Sequence, residues 1–187
     1  MKRIIPIVMV LCFAACRSMP SSFYMLAPTS YGKENVVIKK NINVGVFVKV
    51  PKYVERPQIV TKKNDVEMQM SEFHRWIAPL EDNISEVITD DMLALSKKIK
   101  VIPASANRKS FDYTVIIEFK RFDAALGKKA VISAIWVIKD SDDKVLYSKM
   151  SYMENDITEE YSDMVKKLSD MTGRLAKEIT VKISKMK

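Results

Sequence analysis

Residues 111–152 read FDYTVIIEFKRFDAALGKKAVISAIWVIKDSDDKVLYSKMSY, and this stretch decides the fold. Three runs rich in β-branched and aromatic residues, at about residues 111–123, 129–139 and 144–152, are parted by Ala124 to Lys128, which contains Gly127, and by Asp140 to Asp143. Long strand-forming runs joined by short turns predict an antiparallel meander. In the first run Tyr113, Val115, Ile117 and Phe119 alternate with Thr114, Glu118 and Lys120, so one face is expected to be buried.

Upstream of the meander, Ile42, Val44, Val46, Val48 and Val50 alternate with Asn43, Gly45, Phe47 and Lys49, the pattern of a half-buried strand. Phe23 to Leu26 marks an earlier strand. Gln58 to Thr61 and Val66 to Met70 flank Lys62-Lys63-Asn64-Asp65, a hairpin whose tip carries two positive charges. Met68 and Met70 share a face near that tip, where soft, adaptable side chains suit contact with a partner. Pro79 opens a helix at a position where its missing N–H costs nothing, followed by Glu81 and Asp82. Leu80, Ile84, Val87, Ile88, Met92 and Leu95 form its apolar stripe. After a short Lys100 to Ile102 segment and the meander, a second helix runs from about Thr158, its expected N-cap, to about Ser184. Its stripe is Met164, Leu168, Met171, Leu175 and Ile179. The expected class is α+β: a mixed, mostly antiparallel β-sheet with two long amphipathic helices packed on one face.

The N-terminus has the order of an export signal. Lys2 and Arg3 precede the apolar Ile4 to Phe13 and the small Ala14 and Ala15. The apolar run is interrupted by Pro6 and is shorter than the roughly 20 residues that cross a bilayer. Residues 1–15 are expected to be removed, residues 16–22 to form a leash and residues 23–187 to form a single domain. Cys12 leaves with the signal, so Cys16 is the remaining cysteine and no intramolecular disulfide is available. The formal charge is +8, of which Lys2 and Arg3 supply two. In an exported chain such a lysine-rich surface either serves solubility alone or meets anionic headgroups or acidic partner faces, not nucleic acid.

Catalytic and cofactor patterns are sparse. The four glycines, at 32, 45, 127 and 173, are too scattered for a phosphate-cradling loop. His74 is the single histidine and would have to serve any triad or His-ligated metal, yet no G-x-S-x-G elbow accompanies it. Ser71 and Glu72 are its neighbours in sequence only. Asp90-Asp91 and Glu159-Glu160 point about 100° apart on a helix. Asp140, Asp142 and Asp143 lack the glycine and closing glutamate of a calcium loop and are read as a turn. No enzyme, metal site or dissociable cofactor is expected.

Phe13-Ala14-Ala15-Cys16 resembles the lipobox cleaved by bacterial lipoprotein signal peptidase, with Phe13 in place of the usual leucine. The resemblance implies that Cys16 carries a diacylglyceryl group and an N-acyl chain such as palmitate. Arg17 follows, not the aspartate that retains many lipoproteins at the inner membrane, which implies the periplasmic face of the outer membrane. Residues 17–22 reach about 20 Å when extended, so the domain must sit close to its membrane.

Residues from about 23 to 103 are similar to the PqiC/YmbA-type lipoproteins, auxiliary components of ABC-type transport systems, and beyond them the order of strands and the last helix agree. The likeness rests on Phe23 to Leu26, on Val44 to Val50 running into Pro51-Lys52-Tyr53-Val54, on Glu55 to Val60, and on Glu72-Phe73-His74-Arg75-Trp76-Ile77-Ala78-Pro79-Leu80. It implies a non-enzymatic partner of a periplasm-spanning MCE-domain protein and its ABC permease, moving lipid between membranes and supporting membrane integrity. A homo-oligomeric ring is an arrangement that such a collar allows. Within the motifs, Tyr53, Arg56 and Pro57 suggest a stiff loop entering an edge strand, while His74, Arg75 and Trp76 precede the helix. One reading makes them the loop-to-helix join, with Trp76 buried, Arg75 paired with Glu72 or Glu81, and His74 hydrogen-bonded. The other makes them an interface, where Trp, Tyr and Arg are enriched. A lipid carrier with its own cavity, an envelope hydrolase centred on His74 and a structural envelope lipoprotein are the competing functions.

Overall fold

The computed structural model describes residues 20–29, 36–102 and 110–186; the export segment, Cys16 and the first part of the leash lie outside them. In chain order the elements are β1 (Ser22–Tyr24), β2 (Ile42–Lys49), a 3-10 turn (Lys52–Val54), β3 (Gln58–Lys62), β4 (Met68–Trp76), α1 (Leu80–Leu95), β5 (Ile99–Val101), β6 (Tyr113–Ala125), β7 (Lys129–Lys139), β8 (Val145–Asp156) and α2 (Tyr161–Ser184).

The meander is present as β6-β7-β8, and it continues into a five-stranded sheet of order β5-β2-β6-β7-β8. β2 runs parallel to both β5 and β6, while the β6-β7 and β7-β8 pairs are antiparallel. α1 packs on β2 and β5, α2 packs on β7 and β8, and the two helices pack on each other. Between these layers lies the core. Tyr113, Val115, Ile117 and Phe119 of β6 are buried, as are all the stripe residues predicted for both helices. Each large apolar side chain buried in this way contributes roughly 1.5–3 kcal/mol. Trp136 is the largest fully buried side chain, and its indole N–H donates to Ser151 Oγ at 2.9 Å.

The turns follow their sequence chemistry. Gly127 takes a φ of 69°, a conformation that a residue without Cβ adopts at no steric cost. In the next turn Asp140 Oδ1 accepts the amides of Asp142 and Lys144, both at 3.0 Å, which is the turn role expected of that acidic stretch. The helix starts differ slightly from expectation. Pro79 is the N-cap of α1, one residue before the helix, and Glu160, not Thr158, is the N-cap of α2. Thr158 instead donates its amide to Asp163 Oδ2 at 2.8 Å, which holds the Asp163 carboxyl below the usual aspartate range.

A second sheet replaces the single one expected. β4 continues beyond the hairpin to Trp76, because no glycine or proline interrupts Met70 to Trp76, and it pairs in parallel with β1 while keeping β3 on its other side. The resulting three-stranded sheet, of order β1-β4-β3, lies against β6 through β3 and against the start of α2 through the rings of Tyr24, His74 and Tyr161.

The expected strand Phe23 to Leu26 is shorter at its end, because the chain leaves the sheet after Tyr24 to strap across the helices. Leu26 donates its amide to Asn83 Oδ1 at 2.8 Å and accepts from Asn83 Nδ2 at 3.3 Å. Ala27 donates to Ser169 Oγ at 3.2 Å, and Thr29 to Asp91 Oδ1 at 2.8 Å. Asn83 and Asp91 therefore complete the buried stripe of α1 as polar members that satisfy the strap's backbone.

Candidate functional site

β1 and β4 are in register as Ser22 with His74, Phe23 with Arg75, and Tyr24 with Trp76. Successive strand residues point to opposite faces, so this pairing divides the expected site residues into two groups. On one face, Trp76 is buried and the His74 ring stacks on Tyr161 with centroids 3.8 Å apart and planes 11° apart. Tyr24 Oη and His74 Nδ1 share a 2.8 Å hydrogen bond, and Ser71 Oγ accepts the backbone amide of His74 at 3.0 Å. These contacts clamp the small sheet onto α2, as the join reading expects of His74 and Trp76.

Arg75 behaves differently. Its expected pairing with Glu72 or Glu81 is not formed. Glu72 lies in the same strand, within the stretch where the β3-β4 register shifts, and Glu81 Oε2 accepts the Val50 amide at 3.3 Å. Among the described residues Arg75 Nε is buried with no hydrogen-bond partner.

Arg75 and Phe23 line a cavity of about 690 Å³. Ser21 and Phe23 bound one side of it, Glu55, Arg56 and Pro57 another, and Trp76 to Asp82 the rest. Backbone hydrogen bonds hold these walls together: the Trp76 amide donates to the Pro57 carbonyl at 2.7 Å, and the Ile77 amide to the Tyr24 carbonyl at 3.0 Å. Phe23 and Ile77 are 59% and 63% exposed, leaving apolar surface at the rim. Glu55 is engaged by Lys52 Nζ at 2.6 Å.

Of the residues singled out by sequence, Arg56, Pro57, Arg75 and Trp76 meet at this cavity. Met70 does not line it, although Arg56 Nη1 lies 3.3 Å from Met70 Sδ. Met68 stays on the exposed hairpin opposite Lys62. Tyr53 is a positioning residue. Its hydroxyl donates to Asp123 Oδ2 at 2.7 Å and accepts the Phe122 amide at 3.4 Å, pinning the loop that carries Arg56 and Pro57 to β6. Burial, and then the Asp123 carboxylate, push the Tyr53 phenol well above the usual tyrosine range. Phe23 and Ile77 were missed as site residues; the exposed Ile77 between Trp76 and Ala78-Pro79, outside any apolar period, was the signal available. Cys16 lies outside the described residues.

Residues 24–180 match the family described as the ABC-type transport auxiliary lipoprotein component. The fold is similar to the crystal structure of an uncharacterized protein, with a TM-score of 0.74 and 18% identity over 89% of this chain and 100% of that one. It is also similar to protein XCC0632 from Xanthomonas campestris, with a TM-score of 0.68 and 16% identity over 87% of this chain and 95% of that one. No curated protein matches the chain.

Proposed function

The chain belongs to the family of ABC-type transport auxiliary lipoprotein components, and from that premise we propose that it is the outer-membrane docking component of a lipid transport system. Cys16 carries the anchoring lipid, and the domain receives a periplasm-spanning MCE-domain protein that works with an ABC permease. One observation supports this placement above the others. The chain enters its first strand at Ser22, so the five residues 17–21 bridge anchor and fold, and Cys16 lies six residues before the strand. That span extends to about 20 Å. A domain so tethered stays at one membrane, and a longer protein must come to it.

The domain acts by binding. The ring of its one histidine contacts Tyr24 and Tyr161, and Ser71 Oγ accepts the His74 backbone amide, so both side chains have contacts that brace the fold. A carrier that encloses a chain within the main core is disfavoured, because the layer between sheet and helices is filled by Phe119, Phe122, Trp136 and the helix stripes.

Recovery of the tagged full chain after chemical cross-linking in cells tests the docking role. An MCE-domain protein is expected among the cross-linked species, and its absence would remove the docking assignment.

A further inference from the structure

We propose that the cavity beside β1 binds a membrane phospholipid, with the phosphate at Arg75 and Arg56 and an acyl chain along Phe23 and Ile77. The inference rests on the reading of Cys16 as the membrane anchor and gives that anchored domain a ligand. Its volume of about 690 Å³ falls within the range of small-molecule sites, roughly 300–1,000 Å³.

Position is the first argument. Ser21 lines the cavity and lies five residues after Cys16, a span of about 17 Å when extended. Lipidation at Cys16 would thus hold the mouth within reach of the headgroups of the same membrane. Chemistry is the second. Among the described residues neither Arg56 nor Arg75 is in an ion pair, and the buried Nε of Arg75 has no acceptor. A guanidinium fork offers paired donors that match phosphate oxygens, and of the carboxylates that line the same cavity Glu55 is engaged by Lys52 and Glu81 by the Val50 amide. The exposed apolar walls are the third, since an inorganic anion has no use for Phe23 and Ile77. The anchor's own diacylglyceryl and acyl groups carry no anion and give the arginines nothing to bind.

The test places a photoreactive benzoylphenylalanine at Ile77 of the full chain in cells grown on ³²P-phosphate, with the same residue at Leu93 as a control. Leu93 is 41% exposed on α1 and does not line the cavity. After irradiation and denaturing purification, ³²P-lipid is expected on the Ile77 variant and at background on the Leu93 variant. Adding Arg75→Gln is expected to lower the label at least fivefold. Arg56→Gln, at an exposed position whose loss should not affect folding, is expected to lower it at least twofold. Unlabelled protein at Ile77, equal label at Leu93, label indifferent to both arginines, or cross-links to protein alone would overturn the proposal. Free phosphate does not survive the denaturing step, so it cannot mimic the positive result. Membrane pelleting of the same cells reads the anchor separately: label decides the cavity, and pelleting decides Cys16.

Discussion

Phe23 and Arg75 are register partners across the parallel β1-β4 pair, so an exposed ring and a guanidinium with a buried, unpartnered Nε stand side by side on one face. A buried donor without an acceptor costs roughly 1–3 kcal/mol. Arg75→Met keeps the stem's packing and removes the unmet donor, so equilibrium urea unfolding is expected to show unchanged stability or a gain of about 1 kcal/mol. A loss of stability would mean that Arg75 serves the fold, not a ligand.

The strap over the helices gives a prediction of opposite sign. Asn83 satisfies both backbone groups of buried Leu26, so Asn83→Leu leaves an N–H and a C=O without partners. A destabilisation of about 2–4 kcal/mol is expected in urea unfolding. Glu86→Gln, on the exposed side of the same helix, should stay within about 0.5 kcal/mol of the parent.

Gly45 tests a close approach within the sheet. A Cβ there would lie 2.7 Å from the ring of Phe111, which is 2% exposed and has little room to retreat. Gly45→Ala is expected to cost about 1–3 kcal/mol through overpacking. A double-mutant cycle with Phe111→Leu should recover a substantial part of that loss, whereas simple additivity would show that the ring is not the obstacle.

Alkaline stability reports on Tyr53. Its phenol keeps its proton in the folded state to a pH above the ordinary tyrosine value, near 10, at which the unfolded chain loses it. Unfolding therefore releases a proton above about pH 10. The stabilisation from this group is full below that pH and is lost as pH rises further. Chemical denaturation between pH 9 and 11 is expected to show a steeper decline for the parent than for Tyr53→Phe. The variant should also be about 1–2 kcal/mol less stable at neutral pH, through loss of the bond to Asp123. Parallel pH profiles would show that the phenol titrates normally.

Much of this architecture was legible because periodicity reports burial directly. Val115 and Ile117 of β6, Ile84 and Ile88 of α1, and Leu168 and Leu175 of α2 all lie in the core where their spacing put them. What stayed hidden depends on distant partners. Asn83 and Asp91 interrupt an apolar stripe because each bonds backbone 57 or 62 residues away. The second sheet is not legible in the sequence, where His74, Arg75 and Trp76 read as a loop-to-helix join. In the strand the expected ion pair between Glu72 and Arg75 is not formed, and the β3-β4 register shifts between Met70 and Arg75. Gly45 was assigned with Asn43 and Lys49 to a solvated face, although a glycine within a strand also marks a close approach, here that of Phe111. At the site, Arg56, Pro57, Arg75 and Trp76 came through the family motifs, while Phe23 and Ile77 acquire meaning only from the cavity they border.

One lipidated cysteine is proposed to hold this domain at the outer membrane. Growth of cells with radiolabelled palmitate, followed by density-gradient separation of their membranes, tests it most directly. The parent chain is expected to be labelled and to sediment with the outer membrane, and Cys16→Ala to be unlabelled and absent from that fraction. Label persisting in Cys16→Ala, or an unlabelled parent, or a labelled parent found in the inner membrane, would contradict it.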